Sequence, residues 1–383
     1  MTAVAKGETL QFSGGDYLRQ KLILSVLSGR PIRLKEIRVE ETIPGLKNYE
    51  INFIRLMDKV TNGTVIEISP TGTNLYFQPG LLFGGDIEHT CSDERGIGYY
   101  LEALLMIGVF CKHPLNAVLK GVTNNNVDPS PDLIKSSMFP VLHHFLVDFE
   151  GLELKIIKRG LLPLGGGEVS FKCPVLRETK TAHLVNWGVV KRIRGTAYAV
   201  RVSPAATNRL IEAAKGIMLN FTPDVSIVTD VRKAHQGGRS PGFGIHLTAE
   251  TTKGVIYSSE GSAWSVLGAH DGERCPAPQP ERVGREAAQR LLYEVFCGGV
   301  VDSTAQALAM LFMALGPKDS SMIITGQLSE YAVAFLRHLD RFLDVSMVLE
   351  ALNAEDVNLS SGSDRVVVSC FGIGYTNVSK RTL

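Results

Sequence analysis

The residues best suited to chemistry are gathered in Lys158-Arg159-Gly160-Leu161-Leu162-Pro163-Leu164-Gly165-Gly166-Gly167-Glu168-Val169. A basic pair leads into a turn fixed by Pro163, the three glycines follow, and Val169 and Phe171 start an alternation that predicts a strand. Glycine takes positive φ freely and lets a phosphate or another backbone approach with no Cβ in the way. No Gly-Lys-Ser/Thr follows, and the glycines open a strand instead of a helix, so this is not a Walker loop. Two uses fit the stretch: a cradle for an anion, or a tight turn into a strand.

Further cations lie at Lys191-Arg192-Ile193-Arg194-Gly195 and Arg201, and Arg232, Lys233 and Arg239 surround Gly237-Gly238. Alternation along a strand puts Arg192 and Arg194 on one face, a spacing that suits phosphates. A solvated face balanced by acids is the competing use. The planar fork of arginine makes it the better phosphate ligand than lysine. Histidines offer no metal site: His143 and His144 are adjacent in a predicted helix and diverge, and His113, His183, His235, His246, His270 and His338 lack ligand spacing. The six cysteines contain no Cys-x-x-Cys pair, so neither zinc nor a disulfide framework is expected, and a reducing compartment is. No cofactor is expected.

The elements that must position these residues follow from periodicity. With 44% hydrophobic and 21% charged residues among 383, the composition is that of a soluble globular protein, and 40 basic against 39 acidic residues leave any nucleic-acid surface to a local patch. No signal peptide or membrane span is expected. Three segments repeat a glycine start, an apolar helix and a strand: Gly14 to Leu34, Gly98 to Leu119 and Gly298 to Ile324. Each leads into an amphipathic helix and another strand, with apolar residues at Phe53, Ile54, Met57 and Val60 in the first. The pattern predicts an α/β fold of three repeated units, two helices on a four-stranded sheet each, plus a smaller inserted α/β domain. The expected division is 1–184 with 281–383 for the repeats and 185–280 for the insert. Within the insert a helix is expected after Ser203-Pro204, with an apolar stripe at Ala206, Leu210, Ala213, Ala214 and Ile217, and Pro276 to Pro280 reads as a stiff spacer. The stretch from Gly372 to Arg381 reads as a flexible tail or a docking segment.

The pattern Arg-Gly-x-x-Pro-x-Gly-Gly-Gly-x-Val at 159–169 resembles the signature of the RNA 3′-terminal phosphate cyclase family, and more closely its eukaryotic cyclase-like branch. Ser240-Pro241-Gly242-Phe243-Gly244 and the placement of the insert are similar to that family as well. The resemblance implies a chemistry: a histidine takes an adenylyl group from ATP, passes it to an RNA 3′-phosphate, and the 2′-hydroxyl closes the cyclic phosphate. The family's His-x-x-x-Gln stretch corresponds here to Asp302-Ser303-Thr304-Ala305-Gln306, with glutamine kept and histidine replaced. Its Gly-Glu-Gly-Gly-Gly-Gln-x-x-Arg stretch corresponds to residues 11–19, where Phe12 and Asp16 take the Glu and Gln places and Arg19 is kept. A carboxylate at 302 suits a helix N-terminus and is repelled by a triphosphate.

By resemblance the chain is a non-catalytic factor in small ribosomal subunit assembly, assisting early pre-rRNA cleavages in the nucleolus of the nucleus. Its implied partners are a ribosome-assembly GTPase, proteins of the small-subunit processome and, by direct contact or not, pre-rRNA; no membrane is involved. The alternatives are an endoribonuclease and a residual cyclase. The expected degenerate positions are Phe12, Asp16, Asp302 and Gln306, with no catalytic residue among them. A basic pocket is expected to persist, with Arg19, Lys158, Arg159, Gly165, Gly166, Gly167, Arg192, Arg194 and Arg239 as candidates for an anion, RNA or a partner.

Overall fold

The computed structural model describes residues 8–233, 236–264, 279–352 and 362–379. Three four-stranded mixed sheets repeat one plan. The first runs Leu10–Ser13, Ile32–Lys35, Leu75–Gln78, Val65–Ile68; the second Gly85–Thr90, Leu115–Gly121, Gly167–Cys173, Glu153–Lys158; the third His183–Leu184, Ser320–Thr325, Arg365–Phe371, Val348–Leu352. In each, the first two strands are parallel and the remaining pairs antiparallel. A parallel pair needs a crossover, and the first helix of each unit provides it.

Those crossover helices, Leu18–Ser28, Ile97–Ile107 and Gln306–Leu315, are buried along nearly their whole length. Helices buried on nearly every side belong in a core rather than on a surface, and these also take Arg19, Gln20, Lys21 and Glu102 inside. One hydrophobic cluster runs through all three units, with Phe312 of the third stacked on Phe110 of the second at 6.0 Å. The second helices, Asn48–Val60 and Glu330–Leu343, bury only one stripe, which in the first includes Phe53, Ile54, Met57 and Val60. In the second unit the matching helical segment contains a π turn at Ile134–Met138, just before Pro140, whose ring cannot fit a regular α-helical turn.

The inserted segment forms a sheet of its own, ordered Val225–Arg232, Val190–Val200, Gly242–Thr251, Ile256–Trp264. It begins after His183–Leu184, so it interrupts the third unit between its first strand and first helix rather than lying between units two and three. A two-residue strand leaves no periodicity to read. Helix Ala205–Met218 buries Ala206, Leu210, Ala214 and Met218, while Ala213 and Ile217 are only half-buried. A second helix, Pro280–Cys297, adds Ala287, Ala288 and Leu291 to the same core, past the residue where the sequence reading ends the insert. Most of the expected spacer Pro276 to Pro280 lies outside the described residues; Pro280 itself is the first residue of that helix. The C-terminal stretch docks through Ser379 rather than trailing free: Asn377 is 5% exposed and donates to Cys111 O at 3.0 Å and Leu176 O at 3.2 Å. Residues 380 and 381 lie outside the described residues.

Candidate functional site

Asp302 precedes the crossover helix of the third unit and is 2% exposed. Its Oδ2 accepts from Ser137 Oγ at 2.7 Å and Ser258 Oγ at 2.8 Å, and its Oδ1 from Thr304 Oγ1 at 2.8 Å and Ala305 N at 3.2 Å. Ser137 belongs to the second unit and Ser258 to the insert, so this carboxylate joins three parts of the fold. Its lone pairs are committed to protein donors, and a buried acceptor so satisfied has no free face for an attack on ATP. Gln306, 1% exposed, donates to Thr325 Oγ1 and Gln327 O and accepts from Ser329 N and Oγ at 3.0 Å, which ties strand Ser320–Thr325 to helix Glu330–Leu343. Phe12 is 8% exposed and stacks on Phe342 with centroids 5.7 Å apart, so it belongs to the core.

Asp16 and Arg19 do reach a common cleft, of about 720 Å³, between the three units and the insert. Arg19 is 8% exposed; it pairs with Glu102 at 2.7 Å, donates to Tyr99 O at 3.0 Å and Tyr331 Oη at 2.9 Å, and lies 4.6 Å from the Tyr99 ring centroid. Burial alone would lower its pKa, and Glu102 together with Tyr331 and Tyr99 more than offsets that, so the guanidinium stays charged. The other lining arginines are spoken for as well. Arg38 grips Glu50 at 2.6 and 2.7 Å, and Arg95 Nε reaches both Asp128 oxygens at 2.9 and 3.0 Å. Arg290 donates to Glu260 O at 3.3 Å.

The expected basic pocket is therefore not what the chain builds. Arg19, Arg38, Arg95 and Arg290 line the cleft against Asp16, Glu50, Glu102, Asp128, Glu260 and Glu294. Burial raises the Glu260 carboxyl to about 7 despite a hydrogen bond from Ser130, and burial with the nearby Asp302 charge raises Glu294. A cleft with more carboxylates than arginines, walled by Tyr17, Tyr49, Tyr99, Tyr293 and Tyr331, lacks the uncompensated positive charge a triphosphate needs.

The glycine loop lies apart from this cleft and serves packing. Gly165 and Gly166 take φ of +56° and +78°, and Arg239 N donates to Gly165 O at 2.9 Å. A Cβ on Gly167 would sit 2.6 Å from Thr123 Cγ2, and one on Gly238 would collide with Gly165 O. Protein backbone occupies the space that the sequence reading reserved for an anion. Arg159 is likewise consumed: at 4% exposure its Nε reaches Asp230 at 2.8 Å, Nη1 and Nη2 reach Asp132 at 2.6 and 2.9 Å, and it stacks 4.6 Å over Tyr198. Burial alone would raise the Asp132 carboxyl, and Arg159 more than offsets it, so the pair stays ionised.

Of the remaining candidates, Arg192 pairs with Glu250 at 2.5 Å and Arg194 with Asp224 at 2.7 Å, which is the balanced, solvated face. Lys158 is half-buried on an edge strand, and the exposed Arg239 covers Gly166, with its Cγ 3.0 Å from where a Cβ would be. Among the described residues no group of three or more His, Cys, Asp or Glu is placed to hold a metal. Sequence reading missed Glu102, Arg38, Arg95, Asp128 and Glu260. Glu102 did carry a signal: a carboxylate inside the apolar run of Ile97–Ile107 must find a buried cation.

Comparison with known proteins gives one consistent answer. Residues 10–349 match the family described as RNA 3′-terminal phosphate cyclase. The chain is 50% identical over 382 residues to the probable RNA 3′-terminal phosphate cyclase-like protein of Drosophila melanogaster, covering 99% of this chain and 98% of that one. It is 48% identical over 375 residues to the RNA 3′-terminal phosphate cyclase-like protein of Homo sapiens, with 98% of each covered. With the rRNA processing protein rcl1 of Schizosaccharomyces pombe it shares 41% identity over 381 residues, 99% of each.

Proposed function

Since the chain belongs to the RNA 3′-terminal phosphate cyclase family, we propose that it keeps the family's fold without its adenylyl chemistry and works in maturation of small-subunit ribosomal RNA. The observation that carries this reading is similarity over 99% of both chains to a named rRNA processing protein. The site geometry agrees with it. Where the family has a nucleophilic histidine, Asp302 is buried and accepts from three hydroxyls and an amide. Imidazole is nucleophilic when neutral and leaves well when protonated. A carboxylate already saturated with donors does neither.

In this reading the protein assists early pre-rRNA cleavages as a component of the small-subunit processome, in the nucleolus, beside a ribosome-assembly GTPase. Its working parts are surfaces, because the former reaction centre is used to hold three repeated units and an insert together. Depleting the protein from cells and following pre-rRNA by hybridisation tests the role. Uncleaved precursor should accumulate and mature small-subunit RNA should fall, with recovery on re-expression. Unchanged precursor after full depletion would overturn the reading.

A further inference from the structure

The outer face of the first sheet differs in charge from its two counterparts. Its exposed positions include Gln11 and Ser13 on the edge strand, Arg33 and Lys35 on the next, and half-buried Tyr76 on the third. Arg33 lies opposite both Gln11 and Tyr76 in register, and its guanidinium stands 5.3 Å over the Tyr76 ring. Lys35 Nζ donates to Gln11 Oε1 at 3.1 Å. Around the edge, Arg341 donates to Gln11 O at 3.0 Å and lies 4.2 Å from the Phe12 centroid. Arg30 donates to Arg341 O at 3.0 Å.

Lys21 completes the group. It is 4% exposed, its Nζ is 4.9 Å from the Phe12 centroid, and that ammonium group has no hydrogen-bond or salt-bridge partner among the described residues. Burial lowers it to about 8, against the pull of Asp16, so it remains a cation at pH 7. Five contiguous cations thus surround Gln11 and Phe12, and none forms a salt bridge among the described residues. Three acids lie close by, and the five cations outnumber them: Glu36 accepts from Ser13 Oγ, Glu67 lies across from Tyr76 in the same groove, and Asp16 lies near Lys21.

The equivalent faces are unlike this one. On the second sheet Lys120 pairs with Glu88, and Lys155 and Lys172 both pair with Glu153. The third presents Val348 and Phe371, with its Arg365 buried against Trp187. A fold repeated three times has left unpaired cations beside an aromatic on one sheet, where Arg33, Lys35, Tyr76 and Glu67 line a groove of about 380 Å³.

We propose that the outer face of the first sheet binds single-stranded RNA, with phosphates on Arg33, Lys35 and Arg341 and a base stacked at Tyr76. Unpaired cations supply the backbone contacts and an aromatic on an open sheet supplies the base platform. RNA as the polymer rests on the proposed role in rRNA maturation; the binding is measured without it. If oligonucleotide binding fails while depletion still blocks processing, the surface proposal falls and the role stands.

The test is fluorescence anisotropy of the full chain with a labelled ten-nucleotide oligouridylate across a salt series. Arg33→Glu with Lys35→Glu should weaken binding about tenfold or more and reduce the log–log salt slope by about 1.4. Tyr76→Ala should weaken it about fivefold or more with little change in slope. Lys155→Glu with Lys172→Glu on the second sheet is the control and should leave affinity within about twofold. All five positions are at least partly exposed, so unchanged circular dichroism is expected. No binding by the unsubstituted chain, or equal loss in the control, would overturn the proposal. So would equally tight binding of duplex RNA or of an oligoglutamate peptide, since the face would then be a general polyanion surface.

Discussion

Replacing Arg159 by methionine keeps most of the volume and stem and removes only the guanidinium. In the structure that group satisfies Asp132 of the second unit and Asp230 of the insert, and covers Tyr198. Breaking a buried ion pair from one side typically costs 3–5 kcal/mol because the stranded charge stays desolvated. Here the side chains of Asp132 and Asp230 are 16% and 22% exposed, so water reaches both and the lower end applies. Losing the stacking on Tyr198 adds about 1 kcal/mol. The expected destabilisation is about 4 kcal/mol, read from urea unfolding followed by far-ultraviolet circular dichroism. Asp132→Asn in the same background should cost less than it does alone, because it removes one stranded charge. Unchanged stability of Arg159→Met would refute the reasoning and return Arg159 to the pool of ligand-binding cations.

Asp302→Ala strands three hydroxyls and an amide at the meeting of two units and the insert, so it should cost about 3 kcal/mol in the same urea assay; Asp302→Asn, which still offers an acceptor, should cost less. Acid should destabilise the fold through His89, His246 and His338, each held at about 4 by burial. Their folded pKa lies below the unfolded value, so the unfolded chain takes up protons first as pH falls from 6.5 towards 4, and stability drops by about 2 kcal/mol per histidine at pH 5. Glu260, raised to about 7, acts in the opposite sense and favours the fold as pH falls from 7 towards 4.5. Urea midpoints at pH 7 and 5 should therefore differ, and His338→Gln should narrow the gap.

The repeat was legible because predominantly apolar helices such as Ile97–Ile107 alternate with amphipathic ones such as Asn48–Val60, and each type states its place in the layers. The two-residue strand His183–Leu184 was too short for alternation to register, which hid where the third unit starts. Among site residues, Asp302 and Gln306 were located and their structural use follows from burial. Arg159 stands out in the sequence without its partners. Sequence displays a cation and three glycines, while its partners Asp132 and Asp230 stand 27 and 71 positions away. Whether a cationic residue is free or paired is decided by tertiary contacts, and local pattern carries no trace of them. The same limit hid Arg38, Arg95 and Arg290 in the wall of the cleft beside Arg19.

Incubating the purified chain with α-labelled ATP and resolving it under denaturing conditions tests the loss of adenylyl chemistry most directly. No label should stay on the protein, and Asp302→His should not restore it, because position 302 is 2% exposed and the cleft holds more carboxylates than arginines. A labelled band that survives denaturation and disappears with Asp302→Asn would contradict the account.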